Sequence, residues 1–278
     1  MGTVAVLGSL NIDLVTTVDR HPRPGETVLG EDLTRVFGGK GANQAIAAAA
    51  MGAQVMMIGR VGDDDEGARY IERLKEFGVA TDSVVVTPGH ATGHALIPVS
   101  RDGENSIIVI GGANLQLTEE DLAPLDALGE GDVLLTVLEV PLPVVEAAVR
   151  RATSRGVRVV INVSPYAELA AEVLAAADPL IVNEHEARLL EESGVARSAQ
   201  QYGGLSVLTT LGAEGARWKD ISVPADKVSA VDTTGAGDAF CGALGAALAA
   251  GSDKRTAMEA ATAAAAVAVQ RRGAQPEP

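Results

Sequence analysis

Residues 133–183 read VLLTVLEVPLPVVEAAVRRATSRGVRVVINVSPYAELAAEVLAAADPLIVN. Three apolar runs of strand length, VLLTVL (133–138), VRVVIN (157–162) and LIVN (180–183), are separated by helical patterns over 142–155 and 167–177. Such alternation is the signature of a mainly parallel sheet covered by helices. The same beat continues in both directions. After 183 come a helix over 184–193, the strand LSVLTTLG (205–212) and two final helices over about 236–250 and 254–270, separated by Gly251 and capped by Ser252. Before 133 come TVAVLG (3–8), a helix over about 41–51, VMMIG (55–59) and a helix over about 64–77 that ends at Gly78, a natural C-cap.

Two segments break the alternation. Residues 14–37 (LVTTVDRHPRPGETVLGEDLTRVF) and 91–110 (ATGHALIPVSRDGENSIIVI) alternate polar and apolar positions around RPG and RDGEN turns, which indicates hairpins rather than crossover units. They are expected to form one small β subdomain from two excursions, with a lid as its function; extra antiparallel strands on the edge of the main sheet are the alternative. No repeat, low-complexity tract or linker divides the chain, so 1–278 reads as one domain.

With 278 residues and 47% hydrophobic side chains the chain can bury a full core, which excludes disorder. A net charge of −15 excludes a general attraction to nucleic acid or anionic lipid. One cysteine, Cys241, excludes a disulfide framework and a thiolate zinc site. No apolar run reaches the roughly 18 residues of a membrane span, and MGTVAVLGSLNIDLV lacks the basic start and cleavage site of a signal peptide, so the cytosol is expected.

The strongest chemical signal is DTTGAGDAF (232–240), where small residues open an alanine-rich helix after the strand-like KVSAV (227–231). Backbone N–H groups at a helix N-terminus attract phosphate, and small residues permit close approach. Asp238 in that first turn is out of place in an anion site unless it acts as a base beside the transferred group; an N-capping aspartate is the plainer account. No GxxxxGK[ST] and no GxGxxG after the first strand occur, so a P-loop NTPase and a classical dinucleotide enzyme lose their main support.

FGGKGANQAIAAAAMGA (37–53) places glycines, Lys40, Asn43 and Gln44 at another helix entrance, where Lys40 and Asn43 suit hydroxyls or phosphate and glycine packing is the simpler account. In GSLNIDLV (8–15), Asn11 and Asp13 share one face of an extended segment, which suits a polyol or, alternatively, an Asx turn. His90 and His94 lie in a glycine turn without helical metal-ligand geometry. Asp63, Asp64 and Asp65 suit an N-cap, with lid or metal contact as the weaker reading, and Cys241 suits a small core residue.

In chain order GSLNID, FGGKGANQA, GGAN (111–114), VNEHE (182–186), TTLGAEG (209–215), DTTGAGDAF and RRGAQP (271–276) resemble the ribokinase/phosphofructokinase-B family of carbohydrate kinases over essentially the whole chain. GGKGANQA after GSLNID favours the ribose kinases over adenosine kinase or phosphofructokinase relatives. The resemblance implies a Rossmann-like three-layer core with a small β lid, and transfer of the γ-phosphoryl group of ATP to the 5-hydroxyl of ribose. It implies Asp238 as catalytic base, with the backbone of Gly235, Ala236 and Gly237 as anion hole. Asn11, Asp13, Gly39, Lys40, Asn43 and Glu139 fall where the sugar is held; for Glu139 the plainer alternative is a surface turn carboxylate, and for Lys40 a backbone contact only. Asn183 and Glu186 match the residues near the phosphates and Mg²⁺, and Thr210, Gly212 and Gly215, with Gly237, the nucleotide site.

The resemblance also implies a homodimer through the lid and a potassium site from Asp232, Thr234, Ala268, Arg271 and Gly273. Glu277 stands where the family often has serine, beside a chain end expected to fray. Three departures concern the nucleotide rim: 193–204 is short for the expected helix, WKDISVP (218–224) lacks the usual hairpin loop, and GAQPEP ends without the C-terminal helix of many relatives. Besides a ribose kinase, a kinase of the same superfamily for another sugar or a nucleoside and a non-catalytic binder remain as readings; Asp238 argues against the binder.

Overall fold

The computed structural model describes residues 2–277. Its strands are β1 (Thr3–Leu7), β2 (Asn11–Val18), β3 (Gly30–Gly38), β4 (Gln54–Gly62), β5 (Val84–Thr87), β6 (Gly93–Ser100), β7 (Ile108–Ile110), β8 (Val133–Thr136), β9 (Arg158–Asn162), β10 (Ala177–Asn183), β11 (Val207–Thr210), β12 (Ala216–Trp218) and β13 (Ile221–Val223). Its α-helices are α1 (Lys40–Ala50), α2 (Asp65–Glu76), α3 (Leu142–Ser154), α4 (Ala171–Ala175), α5 (Glu184–Glu192), α6 (Val195–Ala199), α7 (Ala236–Ala249) and α8 (Lys254–Ala268).

Strand side chains alternate between two cores, as the two-residue period requires. Val4 and Val6 of β1 join α1, α2, α7 and α8 on one face, whereas Ala5 and Leu7 join α3, α4 and α5 on the other. β8 divides in the same way, with Val133 and Leu135 opposed to Leu134. The result is a helix–sheet–helix sandwich around a nine-stranded sheet in the order β13-β12-β11-β10-β9-β8-β1-β4-β5. Pairings from β5 to β11 are parallel, and β12 and β13 add an antiparallel edge. From β1 the chain builds first toward β4 and β5, then returns to β8 on the opposite side. That reversal opens a crevice outside the carboxyl ends of the strands, where ligands of such sheets bind.

The two excursions form a separate four-stranded sheet, β3-β2-β6-β7, not an extension of the main edge. It begins at Asn11, and its central pairing, β2 with β6, is parallel, so the excursions are joined along their length rather than lying as independent hairpins. The fold is therefore the expected α/β class with a small second sheet.

Other local expectations change. The 167–177 helix shrinks to α4, because the Ala170 N–H is taken by Glu146 Oε1 at 2.9 Å and the chain before it stays irregular. KVSAV is not a strand: it runs exposed, tied by the Val231 N–H to Val269 O at 2.7 Å. Asp253, not Ser252, caps α8, accepting from Thr256 N at 2.9 Å. WKDISVP does make a hairpin, β12–β13, turned at Lys219 with φ 54°. Residues 193–204 hold only α6 and a single 3₁₀ turn over 200–202. Among 63–65, Asp64 is the N-cap of α2, worth about 1 kcal/mol; it accepts from Gly67 N at 2.7 Å and also holds the Thr92 N–H at 2.7 Å, just before β6.

Candidate active site

Gly235 starts α7 with φ 76°, and a Cβ there would lie 2.6 Å from Ala274 Cα, so only glycine allows this entry. The first-turn N–H groups of α7 have no intrahelical acceptor and carry the positive end of the helix dipole. Asp238 sits in that turn and is 7% exposed. It is not an N-cap: Asn43 Nδ2 donates to its Oδ2 and Gln44 Nε2 to its Oδ1, each at 2.9 Å. Both amides come from the start of α1, which packs against α7.

The turn into α1 depends on Gly39, with φ 85° and no room for a Cβ beside Asn11 N at 2.7 Å. Glu139, in the turn after β8, accepts from Lys40 N at 3.1 Å and from Ser9 Oγ, so it is a half-buried organiser of the turn rather than a free surface carboxylate. The buried Asn11 side chain accepts from Asn114 Nδ2 at 2.8 Å, and Asn114 also brackets the Leu10 peptide, accepting from its N–H at 3.0 Å and donating to its C=O at 3.1 Å.

The charges are concentrated. Burial, then the neighbouring Glu139 and Asp238, push the Asp13 carboxyl up to about 7, with Lys40 opposing. Burial pulls the Lys40 ammonium down, but Asp238, Glu139 and Glu186 outweigh it, so the net shift is upward and Lys40 stays charged. Beyond the backbone contact at its N–H, Lys40 lines a cavity together with Glu186 and Asp238.

Two cavities meet here. One of about 150 Å³ is lined by Lys40, Asn183, Glu186, Thr210, Gly237 and Asp238. The other, about 280 Å³ and mostly apolar, is lined by Thr210, Gly212, Gly215, Val228, Gly237 and Phe240 among others. Thr210 and Gly237 belong to both, so a ligand with an apolar end and a polyanionic end can lie across the junction. Asn183 and Glu186 form a reciprocal capping box on α5, Glu186 N donating to Asn183 Oδ1 and Asn183 N to Glu186 Oε2, both at 2.8 Å.

Asp232 binds Thr234 N through Oδ1 and Gly273 N through Oδ2, each at 2.9 Å. Burial raises its carboxyl, but those N–H groups and Arg272 outweigh it and hold it below the usual range. Ala268 O accepts from Arg271 N at 3.3 Å, so the residues expected around a monovalent cation, Glu277 apart, lie on two segments stitched together by Asp232. Glu277 is exposed and has no ion pair or hydrogen bond among the described residues. The expected fraying does not reach the segment before it: Arg73 Nη2 donates to Pro276 O at 2.6 Å, and Gln275 Nε2 donates to Asn43 Oδ1 and Tyr70 Oη at 2.9 Å each.

Ser9, Gln44, Tyr70, Asn114 and Gln275 join the site without having been assigned a role from the sequence. Ser9, Gln44, Asn114 and Gln275 lie within the motifs GSLNID, FGGKGANQA, GGAN and RRGAQP, which marked their segments; Tyr70 carried no such signal. His94 pairs with Glu66 at 2.7 Å, away from any metal-type cluster, and Cys241 is a buried core thiol. No helix of the described residues is long and apolar enough to cross a membrane.

The pfkB family carbohydrate kinases match residues 1–278. Ribokinase of Bacillus subtilis (strain 168) is 39% identical over 280 residues, covering 99% of this chain and 95% of that protein. Deoxyribokinase of Salmonella typhi is 35% identical, covering 98% and 94%. The structure of Arabidopsis thaliana ribokinase complexed with ribose and ATP superposes with a TM-score of 0.87 at 31% identity, covering 98% of this chain and 94% of that one.

Proposed function

The chain belongs to the pfkB family of carbohydrate kinases, and on that premise we propose that it transfers the γ-phosphoryl group of ATP to the 5-hydroxyl of ribose, giving ribose 5-phosphate and ADP. One observation carries this: a buried carboxylate, Asp238, gripped by two amides at a helix N-terminus where a polar and an apolar cavity join.

Asn11, Asp13, Gly39, Lys40, Asn43 and Glu139 hold the sugar, with its 5-hydroxyl at Asp238. As the sugar oxygen bonds to the γ-phosphorus, the hydroxyl proton passes to the Asp238 carboxylate and the bond to the bridging oxygen of ADP breaks. The loose transition state spreads charge over the equatorial oxygens. The backbone of Gly235, Ala236 and Gly237 and the Lys40 ammonium meet that charge. The apolar cavity past Gly212 and Gly215 takes the adenine.

The donors near the phosphates fit Mg²⁺: Glu186 keeps Oε1 outside the capping box, beside the Asn183 amide, and both are hard oxygens. When bound, Mg²⁺ would supply charge neutralisation at the phosphates. One ionised carboxylate among carbonyls likewise suits a potassium ion at Asp232, Thr234, Ala268, Arg271 and Gly273, with Glu277 outside the set.

The second sheet serves as a lid, and its exposed Leu33, Ile108 and Ile110, which share one face, form the contact with a second copy of the chain. ADP release with ATP and Mg²⁺ across ribose, 2-deoxyribose, hexoses and nucleosides tests the assignment. Ribose gives the highest kcat/KM; preference for another acceptor replaces ribose within the same chemistry, and ribose binding without ADP release reduces the chain to a binder.

A further inference from the structure

Resting on Asp238 as the base, we propose that Gln275 is a positioning residue of the phosphoryl-transfer site: by engaging the Asn43 oxygen it locks, from outside the carboxylate, the orientation in which the Asn43 amide donates to Asp238. The network has a direction set at both ends. Arg73 has only donors, and its Nε donates to Gln275 Oε1 at 3.3 Å. Its guanidinium is held over the rings of Phe37 at 5.2 Å and Phe77 at 5.0 Å, so its place does not depend on Gln275.

With its oxygen on Arg73, Gln275 turns Nε2 inward to Asn43 Oδ1 and Tyr70 Oη. Tyr70 has committed its own proton to Gly38 O, so it can only accept from Gln275. Asn43, its oxygen engaged, is left with Nδ2 toward Asp238 Oδ2. An ionised carboxylate only accepts. A chain that starts at an obligatory donor and ends at an obligatory acceptor gives each amide between them a single satisfied orientation.

Gln44 provides the contrast. Its Nε2 also donates to Asp238, but its Oε1 is buried with no partner, so nothing except Asp238 orients it. Asn43 is the arm whose polarity is imposed from outside the carboxylate. Gln275 reaches it because the turn 273–276 packs beneath the entry to α7, where Ala274 fills the space a Cβ on Gly235 would need.

The decisive comparison is Gln275→Glu against Gln275→Ala, in steady-state kinetics with ribose and ATP and in thermal melting. Gln275→Glu keeps an acceptor for Arg73 but replaces the donor to Asn43 with a second carboxylate, which competes with Asp238 for the Asn43 Nδ2 donor. The expected kcat loss is about a hundredfold for Gln275→Glu and about tenfold for Gln275→Ala, with the KM for ATP within about twofold in both. If Gln275 only anchors the C-terminal turn, the order reverses, because the glutamate strengthens the Arg73 contact and the alanine removes it. That reversal, or wild-type kcat in Gln275→Glu, overturns the proposal.

Should Gln275→Glu melt without cooperativity, Gln275→Met supplies length without a donor; about a tenfold loss in kcat in the folded variant supports the proposal and wild-type kcat overturns it. Activity surviving in Asp238→Asn would instead remove the base assignment and the proposal with it, so the two failures are told apart.

Discussion

Gly38 leaves open the space that the Asp13 carboxyl group occupies: a Cβ at Gly38 would collide with both of its oxygens. The two residues face each other across adjacent strands, β2 and β3, where Asp13 pairs with Val36 and Asn11 with Gly38. An aspartate proposed to bind sugar is thus aimed by the absence of a side chain on its neighbour.

Gly38→Ala is therefore expected to displace Asp13 and to weaken ribose binding as Asp13→Ala does, by the loss of a charge-assisted hydrogen bond, on the order of 1.5–3 kcal/mol. ATP affinity should be unchanged in both. Titration calorimetry with ribose and with ATP checks this, and undiminished ribose affinity in both variants removes Asp13 from the sugar site.

Asp238→Asn keeps the size of the side chain but cannot take a proton, so kcat should fall by roughly 10² or more with ribose binding little changed. The new amide is accommodated, because Gln44 has an unpartnered oxygen to turn toward it. Rapid-quench measurement of ADP formation, beside a ribose binding curve, separates lost chemistry from lost binding.

The raised Asp13 carboxyl makes stability pH-dependent. Its folded value of about 7 lies well above the ordinary aspartate value of 3.8, so the folded state binds the extra proton between them. This contribution is present at low pH and is lost as pH rises toward and through 7. Asp13→Asn, neutral throughout, should melt several degrees above the wild type at pH 8, and the gap should close toward pH 4. An equal gap at both pH values would show that Asp13 is not titrating in this range.

Potassium should raise kcat several-fold over a large inert cation at equal ionic strength. Asp232→Ala should abolish the difference, whereas Glu277→Ala should keep it, since Glu277 is exposed and unpaired among the described residues. Identical wild-type rates in the two salts dispose of the site.

The exposed apolar face of the second sheet should make the chain a dimer at micromolar concentration, and Ile108→Glu, on a residue 59% exposed, should yield monomers without loss of fold. Light scattering coupled to size exclusion reads this directly. A monodisperse wild-type monomer would falsify the contact.

Strand and helix content in the core was legible because it rests on local periodicity: the runs at 133–138, 157–162 and 180–183 became β8, β9 and β10, with shifts only at their ends. The glycine turn before Asp238 was legible for a similar reason, as small residues at a helix start declare themselves within a few positions. Helix 167–177 was not, because the N–H that would have continued it is claimed by Glu146, 24 residues earlier in the chain. Nor was the β2–β6 pairing, whose strands carry ordinary alternation and give no hint that they will lie parallel.

The sequence by itself determined the layered α/β class and which short segments carry phosphate and sugar chemistry, since both are properties of neighbouring residues. Only the tertiary structure decided how those segments are held. Glu139 reaches Ser9 across 130 positions, Asn114 reaches Asn11 across 103, and Gln275 reaches Asn43 across 232. A buried polar side chain must find a partner wherever packing places one. Periodicity shows that Gln44, Asn114 and Gln275 are polar; which donor meets which acceptor is settled only when β1, α1, α7 and the C-terminal turn converge at the open end of the sheet.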